Sequence, residues 1–433
     1  MGLILLLVVS VWLYEQGQRD PGAAIIIWTD VHQSIDGFGG SSADFLDSLT
    51  PVQADFFFTP AGIGLSILRT QIIPDMATCN AEFHEGGCSS SNGQILNGEL
   101  GTAKMAVARG AIVFSTPWSP PGDYKSNSSF RNGGYLLSSH YYDWARDIAA
   151  YVPMMANQGV PIYAVSVQNE PNLTTDYGSC TYTAQDIHHF VPLLYSALHS
   201  VGAGSTKIMI AEESKWAFDL TFSAMADPKV ASEIGILAAH GYGDNIQAFG
   251  AGSARLWQTE DSSLSPTYDG SMRDGLSWAR KIHGYLTKAN VNAWIWWFLT
   301  DMPHQGEGTD NAALTDINGN YPKRTYVIGQ WSKFVRPGWS RIDVGYSGPL
   351  QITAFKDPDG HSFAIVAVNS SDHLVHQTFS LNGFSANSVT PWITSANLSL
   401  VKQVSVPIGG TSFSYTVSAS SVTTFSGTTL AKK

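Results

Sequence analysis

Two stretches of this 433-residue chain end a short β-rich run on a glutamate. Gln168-Asn169-Glu170-Pro171 closes YAVSVQNE, and Trp257-Gln258-Thr259-Glu260 closes ARLWQTE. A single glutamate in such a place is ordinarily a solvated loop acid. Two of them facing each other across a cleft can divide the work: one stays protonated and donates, the other stays ionised and attacks carbon or activates water. Glycosidic cleavage requires such a pair, with carboxyl groups about 5–5.5 Å apart for retention of configuration and about 6.5–9.5 Å for inversion. The anion at Glu260 should disfavour a second charge nearby and so raise the pKa of Glu170.

The neighbouring residue types fit the same chemistry. Asn169 can hold the 2-hydroxyl of the sugar being cleaved. Arg69, read as the end of the second strand, and Tyr242, at the end of the sixth, can each donate to a nucleophilic carboxylate and keep it ionised. Trp118 ends the third strand in PWSPP and Trp297 lies near the end of the eighth; their rings can wall a sugar subsite. Trp294 and Trp296 read rather as core. His240 reads equally well as a cleft residue or as a satisfied structural histidine.

What must position these residues is a series of short β-rich runs: an opening strand near 36–40, then 64–72, 111–118, 163–170, 207–214, 235–243, 254–260 and 292–299. DGFGG also reads as a tight turn where the chain enters the first of them. Helical patterns lie between the runs. Tyr141, Trp144, Ala145 and Ile148 fall at i, i+3, i+4, i+7, with Gly159 as the stop. Thr183-Ala-Gln-Asp186 is an N-terminal cap followed by Ile187, Phe190, Val191 and Leu194 on one face. Apolar strands alternating with helices indicate a parallel sheet buried on both sides, and eight such units indicate an α/β fold, a (β/α)8 TIM barrel over residues 35–329, with its site at the C-terminal ends of the strands. After about Gln330 the period becomes two. Asp357-Pro-Asp-Gly360 marks a hairpin, and an attached antiparallel β-sandwich is expected from residues 25–34 plus 330–428.

Composition narrows the partners. Hydrophobic residues are 44% and charged residues 14%, which excludes a disordered chain. With 24 Lys+Arg against 35 Asp+Glu, the net charge of −11 and the absence of a basic run argue against nucleic acid. Three cysteines are too few for a disulfide scaffold; a local Cys79–Cys88 bridge is preferred among three pairings, leaving Cys180 over. The spacing of the 12 histidines offers no metal motif, so no metal and no cofactor are expected. Gly2 to Tyr14 form an apolar stretch within residues 1–24 that has the length of a signal-peptide core and is short for a span. The usual basic residue ahead of it is missing, so an N-terminal anchor stays open; no other membrane contact is expected. Sequons occur at Asn127, Asn172, Asn369 and Asn397.

At these residues the chain resembles glycoside hydrolase family 30, in its bacterial endo-xylanase and glucuronoxylanase branch. The likeness runs from Ile35 to the end and is carried by IDGFGGSSADF, GLSILRT, GAIVFSTPWSPP, YAVSVQNEP, AHGYG, LWQTE, NAWIWWF, KRTYVIGQWSKFVRPGWSRIDV and SVTTFSG. It implies Glu170 as acid/base, Glu260 as nucleophile, net retention, and a sandwich packed on the barrel as one rigid unit. The expected protein is a secreted, monomeric retaining endo-β-glycosidase acting on a plant cell-wall polysaccharide, β-1,4-xylan first. β-1,6-Galactan and β-1,6-glucan are the alternatives within the family. A non-catalytic carbohydrate-binding barrel is the alternative from another class, but such a relic should have lost a carboxylate or one of Asn169, Arg69 and Tyr242.

One departure bears on substrate. The glucuronoxylanases of the family carry an arginine four residues after the tryptophan that matches Trp297, and it grips the glucuronic acid branch. Here that position is Asp301, and the tyrosines expected after the nucleophile are replaced by EDSSLS. An aspartate repels a uronate, so a strict need for the branch is not expected. A fixed uronate position would require another basic residue, such as Lys125 or Arg255.

Overall fold

The first strand, β1 (Ala24–Ser34), does not enter the barrel; it pairs with strands from the far end of the chain. The computed structural model describes residues 22–430 apart from 46, 74–90, 244, 301–310 and 317, and side chains of the helix beginning at Ser91 from Asn97 onward. The signal-like segment through residue 21, the Cys79–Cys88 pairing and Asp301 therefore lie outside the described residues. Among the described residues, no helix is long and apolar enough to cross a membrane.

Eight parallel strands close in chain order: β2 (Gly37–Ser41), β3 (Ile67–Ile72), β4 (Ile112–Pro117), β5 (Ile162–Ser166), β6 (Lys207–Glu213), β7 (Ile234–Ala239), β8 (Arg255–Gln258) and β9 (Ala293–Phe298). Their inward layer is apolar, with Ile67, Phe114, Met209, Ile236, Trp257 and Ile295 forming one buried cluster. Such continuous burial is what a barrel sheathed by helices demands. The glycine run at 37–40 is the first barrel strand itself and not a turn before it. A Cβ on Gly39 would lie 2.6 Å from the Ile67 carbonyl oxygen, so only glycine lets β2 lie against β3 there.

The helices are α1 (Pro51–Phe58), α2 (Ser91–Val107), α3 (Tyr141–Asn157), α4 (Ala184–Ser200), α5 (Phe222–Ala226), α6 (Pro228–Glu233), α7 (Met272–Gly284) and α8 (Lys323–Ser332). In α3 the periodic residues Trp144, Ala145 and Ile148 are buried. At the head of α4 the Thr183 hydroxyl accepts from the Asp186 N–H at 3.1 Å, while the Asp186 carboxylate accepts from the Thr183 N–H at 2.8 Å. This reciprocal cap satisfies two donors that a helix start leaves unpaired.

The second sheet has ten strands: β1, β10 (Ser340–Gly345), β11 (Gln351–Lys356), β12 (Ser362–Asn369), β13 (Val375–Asn382), β14 (Ala386–Thr394), β15 (Val401–Lys402), β16 (Val406–Pro407), β17 (Ser412–Val417) and β18 (Ser421–Thr429). Its order is β15-β14-β18-β12-β11-β10-β1-β13-β17, with β16 beside β14. The sheet folds over so that Phe379 and Phe413 from one end meet Phe425 near the other, with centroids 5.0 and 5.3 Å away. It is mixed rather than wholly antiparallel, because β1 arrives from the other end of the chain and runs parallel to β13. The 357–360 turn joins β11 to β12 as a hairpin, with Gly360 at φ 72°.

Helix α8 ties this sheet to the barrel with buried polar contacts. Gln330 donates to the Thr394 hydroxyl at 2.8 Å and accepts from Thr424 at 2.6 Å; the Trp331 indole donates to Thr353 at 3.0 Å. Three of the four sequons serve structure. The Asn127 amide bonds the Arg131 and Gly133 carbonyls, Asn172 accepts from the Ser214 N–H, and the buried Asn369 donates to the carbonyls of His373 and Ser418.

Candidate active site

The C-terminal mouth of the barrel gathers three carboxylates and two cations. Glu170 lies four residues past β5, held in a left-handed conformation at φ 44°, and its N–H donates to the Glu212 carbonyl at 3.0 Å. Glu260 lies two residues past β8, and its carbonyl accepts from the Gly241 N–H at 2.7 Å. Cross-strand bonds of this kind fix backbone that has already left the sheet. Glu170, His240 and Glu260 each present an atom within 4.8 Å of the others.

Both oxygens of Glu260 are held. The Arg69 guanidinium donates to Oε2, and the Tyr242 hydroxyl donates to Oε1 at 2.8 Å. Arg69 sits within β3 rather than at its end, yet its buried side chain reaches the mouth. From Nη2 it also donates to Asn169 Oδ1 at 2.7 Å and to Glu212 Oε1 at 3.2 Å. Because a guanidinium can only donate, the Asn169 amide oxygen must face Arg69, which leaves the NH2 for other partners. Trp118 and Trp297 flank the same guanidinium, their centroids 4.7 and 5.5 Å from its carbon and 5.7 Å from each other. Trp118 is buried and Trp297 half-buried, so Trp297 offers the more open indole. Trp294 and Trp296 are core, and the Trp296 indole donates to the Ala312 carbonyl at 2.7 Å.

The electrostatics of Glu170 differ from the expectation. Burial pushes its pKa up, but donation from His240 and Tyr177 and the nearby Arg69 outweigh this, so it is held below its usual value. His240 Nδ1 lies 3.1 Å from Glu170 Oε1 and 3.7 Å from Glu260 Oε1, and Nε2 lies 3.8 Å from Glu212. Burial pushes the imidazole down, yet Glu260, Glu170 and Glu212 together raise it to about 9. The proton of the Glu170–His240 pair therefore rests on the histidine. The two readings of His240 merge: it is wholly buried, and it belongs to the site.

Two members of the cluster were not singled out from sequence. Glu212, on β6 at φ 53°, is fully buried, and Thr116 donates to its Oε2 at 2.8 Å. Burial raises its pKa, but Arg69 and then His240 bring it down to about 2. The signal was present in KIMIAEE, two acids closing an apolar strand. Tyr177 donates to Glu170 Oε2 at 3.1 Å from a loop without periodicity, and no residue pattern marked it.

A second set of contacts holds the strand end that carries Glu260. The buried Asp261 pairs with Lys281 of α7 at 2.7 Å, and its carbonyl accepts from the Trp297 N–H at 2.9 Å. A Cβ on Gly241 would lie 2.1 Å from Asp261 Oδ2, so glycine is required between His240 and Tyr242. Lys125 and Arg255, the basic residues considered for a uronate, are both engaged elsewhere. Lys125 is buried against the Ser179 carbonyl at 2.6 Å, and Arg255 begins β8 at the opposite end of the barrel, bound to Asp36 and Ser34.

Comparison with known proteins agrees with this architecture. Residues 340–425 match the glycosyl hydrolase family 30 beta sandwich domain. The chain is 30% identical over 416 residues to the glucuronoxylanase XynC of Bacillus subtilis, covering 91% of this chain and 89% of that one. It is 26% identical to an endo-1,6-beta-D-glucanase of Trichoderma harzianum, covering 88% and 85%. The solved structure of a glycoside hydrolase family 30 subfamily 8 xylanase from Clostridium acetobutylicum superposes with a TM-score of 0.82 at 29% identity, covering 94% and 99%.

Proposed function

The chain belongs to glycoside hydrolase family 30 and is a glycosidase, and from that premise we propose that it is a secreted retaining endo-β-glycosidase cleaving β-1,4-xylan without a strict need for a glucuronic acid branch. The observation that carries the reading is the pair Glu170 and Glu260, whose oxygens approach within 4.8 Å after β5 and β8. So close an approach favours direct attack by one carboxylate over activation of an interposed water.

In this reading Glu260 attacks the anomeric carbon while Glu170 protonates the departing oxygen. Water, deprotonated by Glu170, then releases the glycosyl-enzyme ester. Arg69 and Tyr242 aim the Glu260 carboxylate, and Tyr242 remains a donor because burial and the Glu260 charge keep its phenol well above the usual value. Asn169, oriented by Arg69, turns its NH2 to the 2-hydroxyl. Trp297, backed by Trp118, supplies a wall for a sugar face. For Glu170 to act as acid, the proton it shares with His240 must stand on the oxygen that meets the leaving group, while His240, 3.1 Å from Oε1, holds the other oxygen.

Xylan is favoured by the glucuronoxylanase and xylanase names of the relatives. Freedom from the branch is supported by the aspartate at 301 and by the engagement of Lys125 and Arg255. Secretion rests on the apolar residues 2–14. The likeness to an endo-1,6-beta-D-glucanase favours β-1,6-glucan as the second substrate reading.

Reducing-sugar release from arabinoxylan, glucuronoxylan, β-1,6-glucan and β-1,6-galactan, measured side by side, tests the substrate. The expected result is comparable rates on the two xylans, with glucuronoxylan products showing no fixed uronate position by mass spectrometry. Preferential cleavage of a 1,6-linked polymer, or a single uronate at one fixed position in every product, contradicts the reading.

A further inference from the structure

We propose that Tyr177 is a displaceable latch: in the free enzyme its phenol occupies the oxygen of Glu170 that a glycosidic oxygen must reach, and the leaving-group sugar replaces it on binding. This rests on the reading of Glu170 as the acid/base.

The two oxygens of Glu170 are not equivalent. Oε1 faces His240, which is wholly buried, so no substrate atom can approach from that side. Oε2 faces Tyr177, a residue 45% exposed. The proton must therefore leave through Oε2. A general acid has to come within about 2.6–3.2 Å of the atom it protonates. The Tyr177 hydroxyl stands 3.1 Å from Oε2, inside that shell. Burial and the Glu170 charge push the phenol well above its usual value, so it is a donor throughout the working range. While it donates to Oε2, it favours the carboxylate form and obstructs transfer to a substrate oxygen.

The loop leaves only the side chain to move. On one side of Tyr177 the Thr175 carbonyl accepts from the Asn132 N–H at 2.9 Å, and the Thr175 N–H donates to Ser179 Oγ at 3.2 Å. On the other, Gly178 bridges to Arg131, and Ser179 Oγ accepts from the Gly133 N–H at 2.9 Å. With the backbone pinned before and after it, Tyr177 can release Glu170 by rotating its side chain towards solvent. The backbone carbonyl of Tyr177 accepts from Thr175 and does not depend on the phenol, so Tyr177→Phe removes the latch alone.

Steady-state kinetics of wild type and Tyr177→Phe, on whichever of the four polysaccharides wild type cleaves fastest, test the proposal. Substrate no longer has to break one hydrogen bond to an ionised group, so KM should fall by about three- to tenfold while kcat stays within twofold. The same pair is compared in a Glu170→Ala background with a dinitrophenyl glycoside of the corresponding sugar, where the KM gain should vanish because there is nothing left to latch. A tenfold or greater loss of kcat in Tyr177→Phe, an unchanged KM, or a KM gain that persists without Glu170 overturns the latch. If Glu170→Ala alone retains wild-type turnover on polysaccharide, or if wild type cleaves none of the four, the underlying acid/base reading fails and the latch with it.

Discussion

Arg69 and Glu212 form a wholly buried ion pair, Nη2 to Oε1 at 3.2 Å, beside the two glutamates that bracket the cleft. Glu212 gives the guanidinium a fixed counter-charge and leaves its other nitrogen free to hold Glu260. Removing one member of a buried pair leaves the other uncompensated, at a cost of about 3–5 kcal/mol.

Glu212→Gln should therefore lower both stability and turnover. Glu212 is held down to about 2 in the folded state, from an ordinary value of 4.5. Its stabilisation, about 3 kcal/mol, is present above the unfolded value and lost as pH falls through about 2. Denaturant unfolding of wild type and variant should show a large gap at pH 6 that closes on acidification below pH 4. A gap constant with pH would mean that Glu212 matters through shape and not through charge.

His240 carries the opposite sign. Its folded value of about 9 stands above 6.5, so the stability it confers is full below 6.5 and lost as pH rises through about 9. The last proton of the His240–Glu170 pair should then set the alkaline limb of kcat/KM near that value. In His240→Gln the limb belongs to Glu170 alone and should move several units towards the carboxylate range. A limb that stays in place would show that the proton delivered to the substrate does not come from this pair.

Glu170→Gln should lose polysaccharide cleavage by orders of magnitude yet spare aryl glycosides whose leaving groups need no proton. Rates with dinitrophenyl and unactivated glycosides separate the two effects. Equal loss on both counts against the acid role.

The sheet that includes β1 should not detach. Gln330 and Trp331 of α8 are buried against Thr394, Thr424 and Thr353, and β1 lies between β10 and β13. Cutting the chain after Gln330 should leave an insoluble barrel fragment. A fragment that is soluble, monomeric and fully active by sedimentation and assay would contradict this.

Local patterns announced much of this architecture. Strand runs, the Thr183 cap and the Asp357–Gly360 turn each act over a few residues, and each appears where its pattern stands. The meeting of Glu170 and Glu260 at one mouth was legible because both close β-rich runs. Tyr177 was not, since its meaning arises only when a loop returns it to Glu170. Glu212 was legible in principle, as an acid closing β6, but its role depends on Arg69 reaching up from the middle of β3. The pKa of Glu170 was misjudged for the same reason: the repulsion from Glu260 was visible in sequence, whereas the donors on both its oxygens come from elsewhere in the fold. The parallel β1–β13 pairing likewise depends on how the two ends of the chain meet.

Glu260 should become covalently glycosylated during turnover. Incubation with an activated 2-deoxy-2-fluoro xylobioside, followed by peptic digestion and mass spectrometry, tests this, because the fluorine slows both steps while the activated leaving group restores only formation, so the glycosyl-enzyme accumulates. One fluoroxylobiosyl group is expected on the peptide containing Glu260, with no labelling of Glu260→Gln. A label on Glu170 or Glu212, or turnover that yields the inverted anomer with no covalent adduct, would contradict it.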